Sequence, residues 1–369
     1  MEFPLKYPIV KPYLPALSVY QNEVEGIFDR NYLTNNGALV QLLEKRLAEY
    51  LGVEHLLLVA NGTLALNIAY AALNVEGEVL TTPFSFAATA SSLCWQGLSP
   101  HFIDIDLATL NLDVTKITSL QAEVANAILP VHVFGNPCNH HLIEPFAKEH
   151  NLTVIYDAAH AFASRIAGQS ILNFGDAATL SLHATKLFHC VEGGAVIFKS
   201  KTAFEKAKQL INFGFDKENV PQYVGINAKM SEFHAAMGLA VLDDIGKITK
   251  QRKLLVELYL QQLSMLTGVR LQQWYAGESA CGAYMPIILA SETILLTLMD
   301  FLKGKGIQTR RYFYPSLSKI KAYGEQGDTP IAEQIASRIL CLPMYTTLTI
   351  QDVEYICQQV KQALVSNNK

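Results

Sequence analysis

Short, uninterrupted apolar runs that each give way to a helix-like stretch recur from about residue 55 onward, and they narrow the folds open to this chain. "LLLVA" (56 to 60) leads into "NGTLALNIAYAAL", "EVLTTPF" leads into "SFAATASSLCW", and "HFIDID" follows. Later "AILPVHVFG" precedes the amphipathic "HHLIEPFAKEHN", which "TVIYDAAH" follows. A strand with one wetted face alternates apolar and polar residues. Continuous apolar runs separated by helices therefore predict an α/β core, a mostly parallel central sheet covered on both faces. In such sheets ligands gather beyond the C-terminal ends of the strands. The residues that follow each run are thus the first candidates for chemistry: Asn61, Gly62 and Thr63; Phe84, Ser85 and Phe86; His132; Asp157 and His160; Ser181, His183 and Lys186.

The pattern changes after residue 246. "KITKQRKLLVELYLQQLSML" (247 to 266) reads as a long amphipathic helix, followed by the strand-like "AYMPIIL", the helical "ETILLTLMDFLKGKG" and a last helix in "TIQDVEYICQQVKQALV". These predict a large domain over 1–246 and a smaller C-terminal α+β domain over 247–369, within reach of a 369-residue chain that is 50% hydrophobic. The balance of 29 basic to 33 acidic side chains, without a basic run, argues against a nucleic acid partner. "MEFPLKYPIVKPYLPAL" lacks the basic-then-apolar order of a secretory leader, and no window is apolar enough to span a bilayer, so no membrane and a cytoplasmic location are expected. The six cysteines (94, 138, 190, 281, 341 and 357) have no paired short spacings, which favours reduced thiols over a zinc framework.

Three stretches carry candidate chemistry. In "ANGTLAL" a strand ending opens a helix through Asn-Gly-Thr, which offers free backbone N–H groups and a hydroxyl to a phosphate; it equally suits an N-cap by Asn61 or Thr63. In "TVIYDAAHAF" Asp157 follows a buried run, either as a helix cap or as a carboxylate aimed at a ligand, with His160 three residues on. A buried aspartate stays ionised only beside a hydrogen-bonded or cationic partner, such as a protonated pyridinium nitrogen. In "SLHATKLFHCVEGGAVI" a metal would draw on His183, His189 and Cys190, but no fourth ligand is announced by spacing. Lys186, 29 positions after Asp157, is either a solvated loop lysine or the amine that a covalent cofactor enzyme needs downstream of a phosphate cradle.

Taken in order, "YLTNNGALVQLLEKRLAEYLGVEHLLLVANGTLAL", "TTPFSFAATASSLCWQGLSPHFIDID", "VHVFGNP", "VIYDAAHAF", "SLHATKLFHCVEGGAVI", "GINAKMSEFHAAMG" and "LCLPMY" resemble the DegT/DnrJ/EryC1/StrS family across nearly the whole chain. That family comprises fold type I sugar aminotransferases that use pyridoxal 5′-phosphate. The resemblance implies that Lys186 bonds the cofactor, Asp157 partners its pyridine nitrogen, and Gly62, Thr63 and Ser181 hold its phosphate. It further implies that Phe86 covers the ring, that His160 sits near the ring oxygen, and that Asn227 reaches the phosphate of a neighbouring subunit, making a homodimer with shared active sites. The partners implied are L-glutamate and a nucleotide sugar, with Asn35, Lys229, Arg310 and Tyr314 as substrate contacts. Lys229 stands where relatives usually carry arginine and Ser318 where many carry histidine, so substrate contacts follow the family less closely than cofactor contacts. "YLTNNG" is similar to the loop of the family's 4-aminotransferases, which points to C4 of a dTDP-linked 4-oxo-6-deoxyglucose; the same residues also make an ordinary turn. A 3-oxo sugar, a cyclitol ketone, a dehydration and a ligand-sensing regulator of the same fold are the alternatives.

Overall fold

The computed structural model describes residues 5–275, 278, 280–324 and 328–366. Nine strands belong to the first part of the chain: β1 (His55–Val59), β2 (Glu78–Thr81), β3 (Ser99–Phe102), β4 (Ala125–Leu129), β5 (Thr153–Asp157), the short hairpin β6 (Arg165–Ile166) and β7 (Gln169–Ser170), β8 (Ala177–Ser181) and β9 (Gly194–Phe198). Seven of them form one sheet in the order β1-β9-β8-β5-β4-β2-β3. All its pairings are parallel except those of β9, which runs against both neighbours. Side chains alternate between two cores: Leu56 and Leu58 of β1 join one, Leu57 and Val59 the other, and Val154 and Tyr156 lie opposite Ile155 in β5. Helices cover both faces, so most positions of the central strands are buried among apolar side chains. This is why the runs read as continuous.

The smaller unit is built on β10 (Val269–Arg270), β11 (Met285–Leu289) and β12 (Ile339–Leu342), an antiparallel sheet. Helices Ile245–Leu263, Glu292–Gly304 and Ile350–Ser366 pack on it through Leu255, Leu295, Leu298, Val353 and Ile356. Helix Ile245–Leu263 serves both units, since Ile245 and Ile248 belong to the core of the large sheet and Leu255 onward to the small one. Tyr7 also lies in the second core, and its backbone bonds to Gly306 and Gln308, so the N-terminal segment contributes to the small unit. A mixed cluster containing Phe84, Val131, Phe134, Ile288 and Phe313 joins the two at the C-terminal edge of the large sheet. No helix among the described residues is long and apolar enough to cross a membrane.

One long-range contact fixes the N-terminal loop. Glu232 is fully buried, and its carboxylate accepts the N–H groups of Leu39 and Val40 at 3.0 Å each, at the start of helix Ala38–Leu51. That helix has Gly37 at its cap and no side-chain cap of its own. A carboxylate there satisfies two free donors and complements the helix dipole. The backbone N–H of Glu232 also donates to the Leu33 carbonyl at 3.0 Å, so the loop 32–37 is tied to the segment around residue 230.

Candidate active site

Because β1, β8 and β5 run parallel, their C-terminal ends deliver Asn61, Ser181 and Asp157 to one edge of the sheet. A cavity of about 350 Å³ opens there, between that edge and the small unit. Its wall includes Gly62, Thr63, Phe86, Asp157, His160, Ser181, Lys186 and Arg310. The other expected residues, Asn35, Asn227, Lys229 and Tyr314, do not line it.

The cradle at Gly62 is set by close packing. Asn61 caps helix Gly62–Ala72 by accepting the Leu64 N–H at 2.9 Å, which leaves the N–H groups of Gly62 and Thr63 in the first turn. A Cβ on Gly62 would lie 2.9 Å from the Ser181 Cβ, and one on Gly194, at the start of β9, 2.4 Å from the Asn61 carbonyl oxygen. Glycine at these two positions lets the helix start and two strand ends meet. The helix N-terminus and the Ser181 hydroxyl consequently face one space suited to an anion.

Asp157, the last residue of β5, caps no helix: a turn follows it. Its Oδ1 accepts the Ala159 N–H at 3.1 Å and its Oδ2 the Thr89 hydroxyl at 2.9 Å, with Ser85 in turn 2.7 Å from Thr89. Burial raises the Asp157 pKa, opposed by these two donors and by the charge of Lys186. The carboxylate thus has neutral donors in contact and, among the described residues, no directly bonded cation. His160 is buried as well, and among the described residues its Nδ1 has no hydrogen-bond partner. Burial first and the Lys186 charge second hold its pKa well below the usual histidine range, so the ring is neutral. Phe313 stacks on it at 5.5 Å.

Lys186 projects from a tight turn in which its N–H donates to the His183 carbonyl, Ala184 N–H to Val191 and Cys190 N–H to Leu182. Enough protein surrounds its amine to lower the pKa from 10.5 to about 8, against the attraction of Asp157. Nζ donates to the Tyr284 hydroxyl at 3.2 Å. The neighbouring histidines have other partners. His183 lies 2.8 Å from the Thr185 hydroxyl and 3.5 Å from Glu192, whereas His189 bonds the Tyr13 carbonyl at 2.7 Å and Cys190 is buried in the core.

The expected substrate contacts are dispersed. Asn35 and Asn36 adopt left-handed backbone (φ 63° and 56°), and the Asn35 carbonyl accepts the Tyr32 hydroxyl, so "TNNG" is a turn here. Lys229 donates to Asn212 at 2.8 Å and lies over the Phe213 ring. Asn227 is exposed, and the Tyr314 ring is covered by the Arg311 guanidinium at 3.4 Å. Sequence reasoning missed Thr89, Glu192, Tyr284, Tyr312 and Phe313, all of which line the cavity. The place of Thr89 one helical turn after Phe86 hinted that it faces the cavity but not that it bonds Asp157, 68 residues on; Tyr284 had no signal, lying 98 residues from Lys186.

A family model described as the DegT/DnrJ/EryC1/StrS aminotransferase family matches residues 18–361. The dTDP-4-amino-4,6-dideoxy-D-glucose transaminase of Shigella dysenteriae is 42% identical over 96% of this chain and 98% of its own length. An Escherichia coli protein of the same name is 36% identical over 92% of this chain and 94% of its own. Among solved structures, DesI in the presence of its TDP-sugar product superposes with a TM-score of 0.92 at 31% identity, over 100% of this chain and 96% of that one.

Proposed function

The chain belongs to the DegT/DnrJ/EryC1/StrS aminotransferase family, and we propose that it moves the amino group of L-glutamate to C4 of a dTDP-linked 4-oxo-6-deoxyglucose, using pyridoxal 5′-phosphate. The observation that carries this proposal is one cavity holding a lysine amine of pKa about 8, a buried carboxylate that has no bonded cation among the described residues, and a helix N-terminus packed on a serine. The relatives named dTDP-4-amino-4,6-dideoxy-D-glucose transaminase, similar over more than nine-tenths of both chains, support the substrate.

The residues present fit that cofactor. Gly62, Thr63 and Ser181 would hold its phosphate, Asp157 its ring nitrogen, Phe86 and His160 its ring, and Lys186 its carbonyl carbon. Bound there, pyridoxal phosphate supplies a carbon to which amines attach and a ring that withdraws electrons from the reacting carbon. With a pKa of about 8, Lys186 would be available near neutral pH both as ammonium and as amine, so Nζ would be placed to hold the cofactor's carbonyl carbon and, when free, to carry a proton at the donor's α-carbon. Asp157, paired with a cationic ring nitrogen, would stay ionised and would hold a proton on that atom, since the pairing would offset the desolvation that raises its pKa. Arg310, in the cavity wall without a bonded carboxylate among the described residues, would offer a cation to the diphosphate, with Tyr314 four residues further along the chain.

Asn227 and Lys229 enter this scheme through a second copy of the chain. Support comes from the segment that carries them: Phe213, Val220, Tyr223 and Ile226 are exposed and Val224 is 99% exposed, an apolar patch that a neighbouring protomer would cover. Asn35 completes the reading from the loop that Glu232 ties to the same segment. A cytoplasmic location follows from the metabolite substrates proposed. Incubation with glutamate and either the dTDP-4-oxo or the dTDP-3-oxo 6-deoxyhexose, analysed by mass, tests the function. Conversion of the 4-oxo sugar is expected; preference for the 3-oxo isomer overturns the regiochemistry, and turnover of a cyclitol ketone alone overturns the nucleotide-sugar reading.

A further inference from the structure

Tyr284 reaches the cavity from the small unit, one residue before β11, yet its hydroxyl accepts the hydrogen bond of Lys186 Nζ, which belongs to the large sheet. Three aromatic contacts fix the ring: edge-on to His160 at 4.9 Å, tilted against Phe134 at 5.4 Å and edge-on to Tyr312 at 5.5 Å. The backbone leading to it is fixed by a buried cation. Arg252, 3% exposed and in no ion pair among the described residues, donates from Nη1 to the carbonyls of Gly282 (3.0 Å), Ala283 (3.4 Å) and Met344 (3.1 Å), and from Nε to Thr346. Gly282 has φ +75°, and a Cβ there would lie 2.8 Å from the Cβ and the carbonyl oxygen of Arg252, so the helix backbone at Arg252 and the turn before Tyr284 pack directly against each other. A charged side chain buried against three carbonyls ties that strand entry to the helix, because breaking these bonds would leave a buried cation without acceptors.

From this we infer that Tyr284 positions Lys186, holding its amine against the small-unit wall whenever that amine is not bonded to the cofactor, and that Arg252 in turn positions Tyr284. The inference rests on the reading of Lys186 as the cofactor lysine. A phenol accepts a hydrogen bond from an ammonium and donates one to a neutral amine, so the contact persists through both protonation states that Lys186 must visit. A lysine side chain left free would disperse among many rotamers, and the contact removes that search from each proton transfer. Since the two groups come from different units, the position of the small unit sets the position of the amine.

The test compares Tyr284→Phe with Tyr284→Leu. The phenylalanine variant keeps the ring contacts and loses only the hydroxyl; the leucine variant loses both. Two quantities are read: the rate at which cofactor-free protein captures pyridoxal phosphate, followed as growth of the visible band with borohydride labelling of Lys186, and the split between kcat and KM. The phenylalanine variant is expected to capture the cofactor roughly tenfold more slowly and to lose roughly tenfold in kcat at unchanged KM and melting temperature, the size of one hydrogen bond to a charged group. The leucine variant is expected to add a lowered melting temperature. Wild-type capture and kcat in the phenylalanine variant, with loss only in the leucine variant, overturn the inference and leave Lys186 in its role. Absence of label on Lys186 in the wild type overturns both.

Discussion

The inner end of the cavity and the outer segment 213–229 are built on opposite principles. Around Asp157, Ser181 and Lys186 the strand ends of one chain converge, and the side chains of Asp157 and Lys186 bond to groups of that same chain. In the outer segment apolar side chains face solvent, and Asn227 and Lys229 stand away from their own cavity. The contrast teaches where pre-organisation resides. Groups that hold or move protons gain from burial in one rigid sheet, whereas groups that grip an extended nucleotide sugar can come from a separate surface.

Replacing Lys186 with alanine tests the inner end most severely. Turnover should fall by about 10⁴-fold, because both the attacking amine and the proton carrier are lost; turnover within tenfold of wild type would remove chemistry from this end. Asp157→Asn should lower kcat by about 10²- to 10³-fold, as expected when a pre-organised charge at the reacting group is removed. Its visible cofactor band should remain, since Lys186 is untouched, and wild-type rates would reduce Asp157 to a turn residue bonded to Ala159 and Thr89.

The outer segment is tested by mixing. Lys186→Ala protomers paired at random with Asn227→Ala protomers should regain about a quarter of the wild-type sites, since half of the dimers then own one intact site of two. Activity no higher than the sum of the parents, or full activity in a monomer, would break the contrast by making each chain self-sufficient. The smallest effect is a pH dependence confined to the inner end. With the Lys186 pKa lowered from 10.5 to about 8 by burial, the neutral amine accumulates early, so cofactor capture by cofactor-free protein should rise with pH and reach half its plateau near pH 8. A rate still climbing toward pH 10.5 would mean that the amine is solvated.

Legibility in the sequence followed the same division. The apolar runs located the strands and the amphipathic stretches located helices Ile245–Leu263, Glu292–Gly304 and Ile350–Ser366 within a few residues, since both signals are local periodicities. Strand-end residues such as Gly62, Asp157, Ser181 and Lys186 could be nominated together because parallel strands present their C-terminal ends on one edge whatever the loops between them. Three features were decided by tertiary structure alone. Thr89 donates to Asp157, Glu232 accepts from Leu39, 193 residues earlier, and so caps helix Ala38–Leu51, and Tyr284 meets Lys186 across the two units. Each is a single side-chain contact between segments that share no repeat or spacing. Which partner satisfies a buried polar group depends on how the packed elements happen to face one another, and that is fixed only when the sheets and helices have closed on their cores.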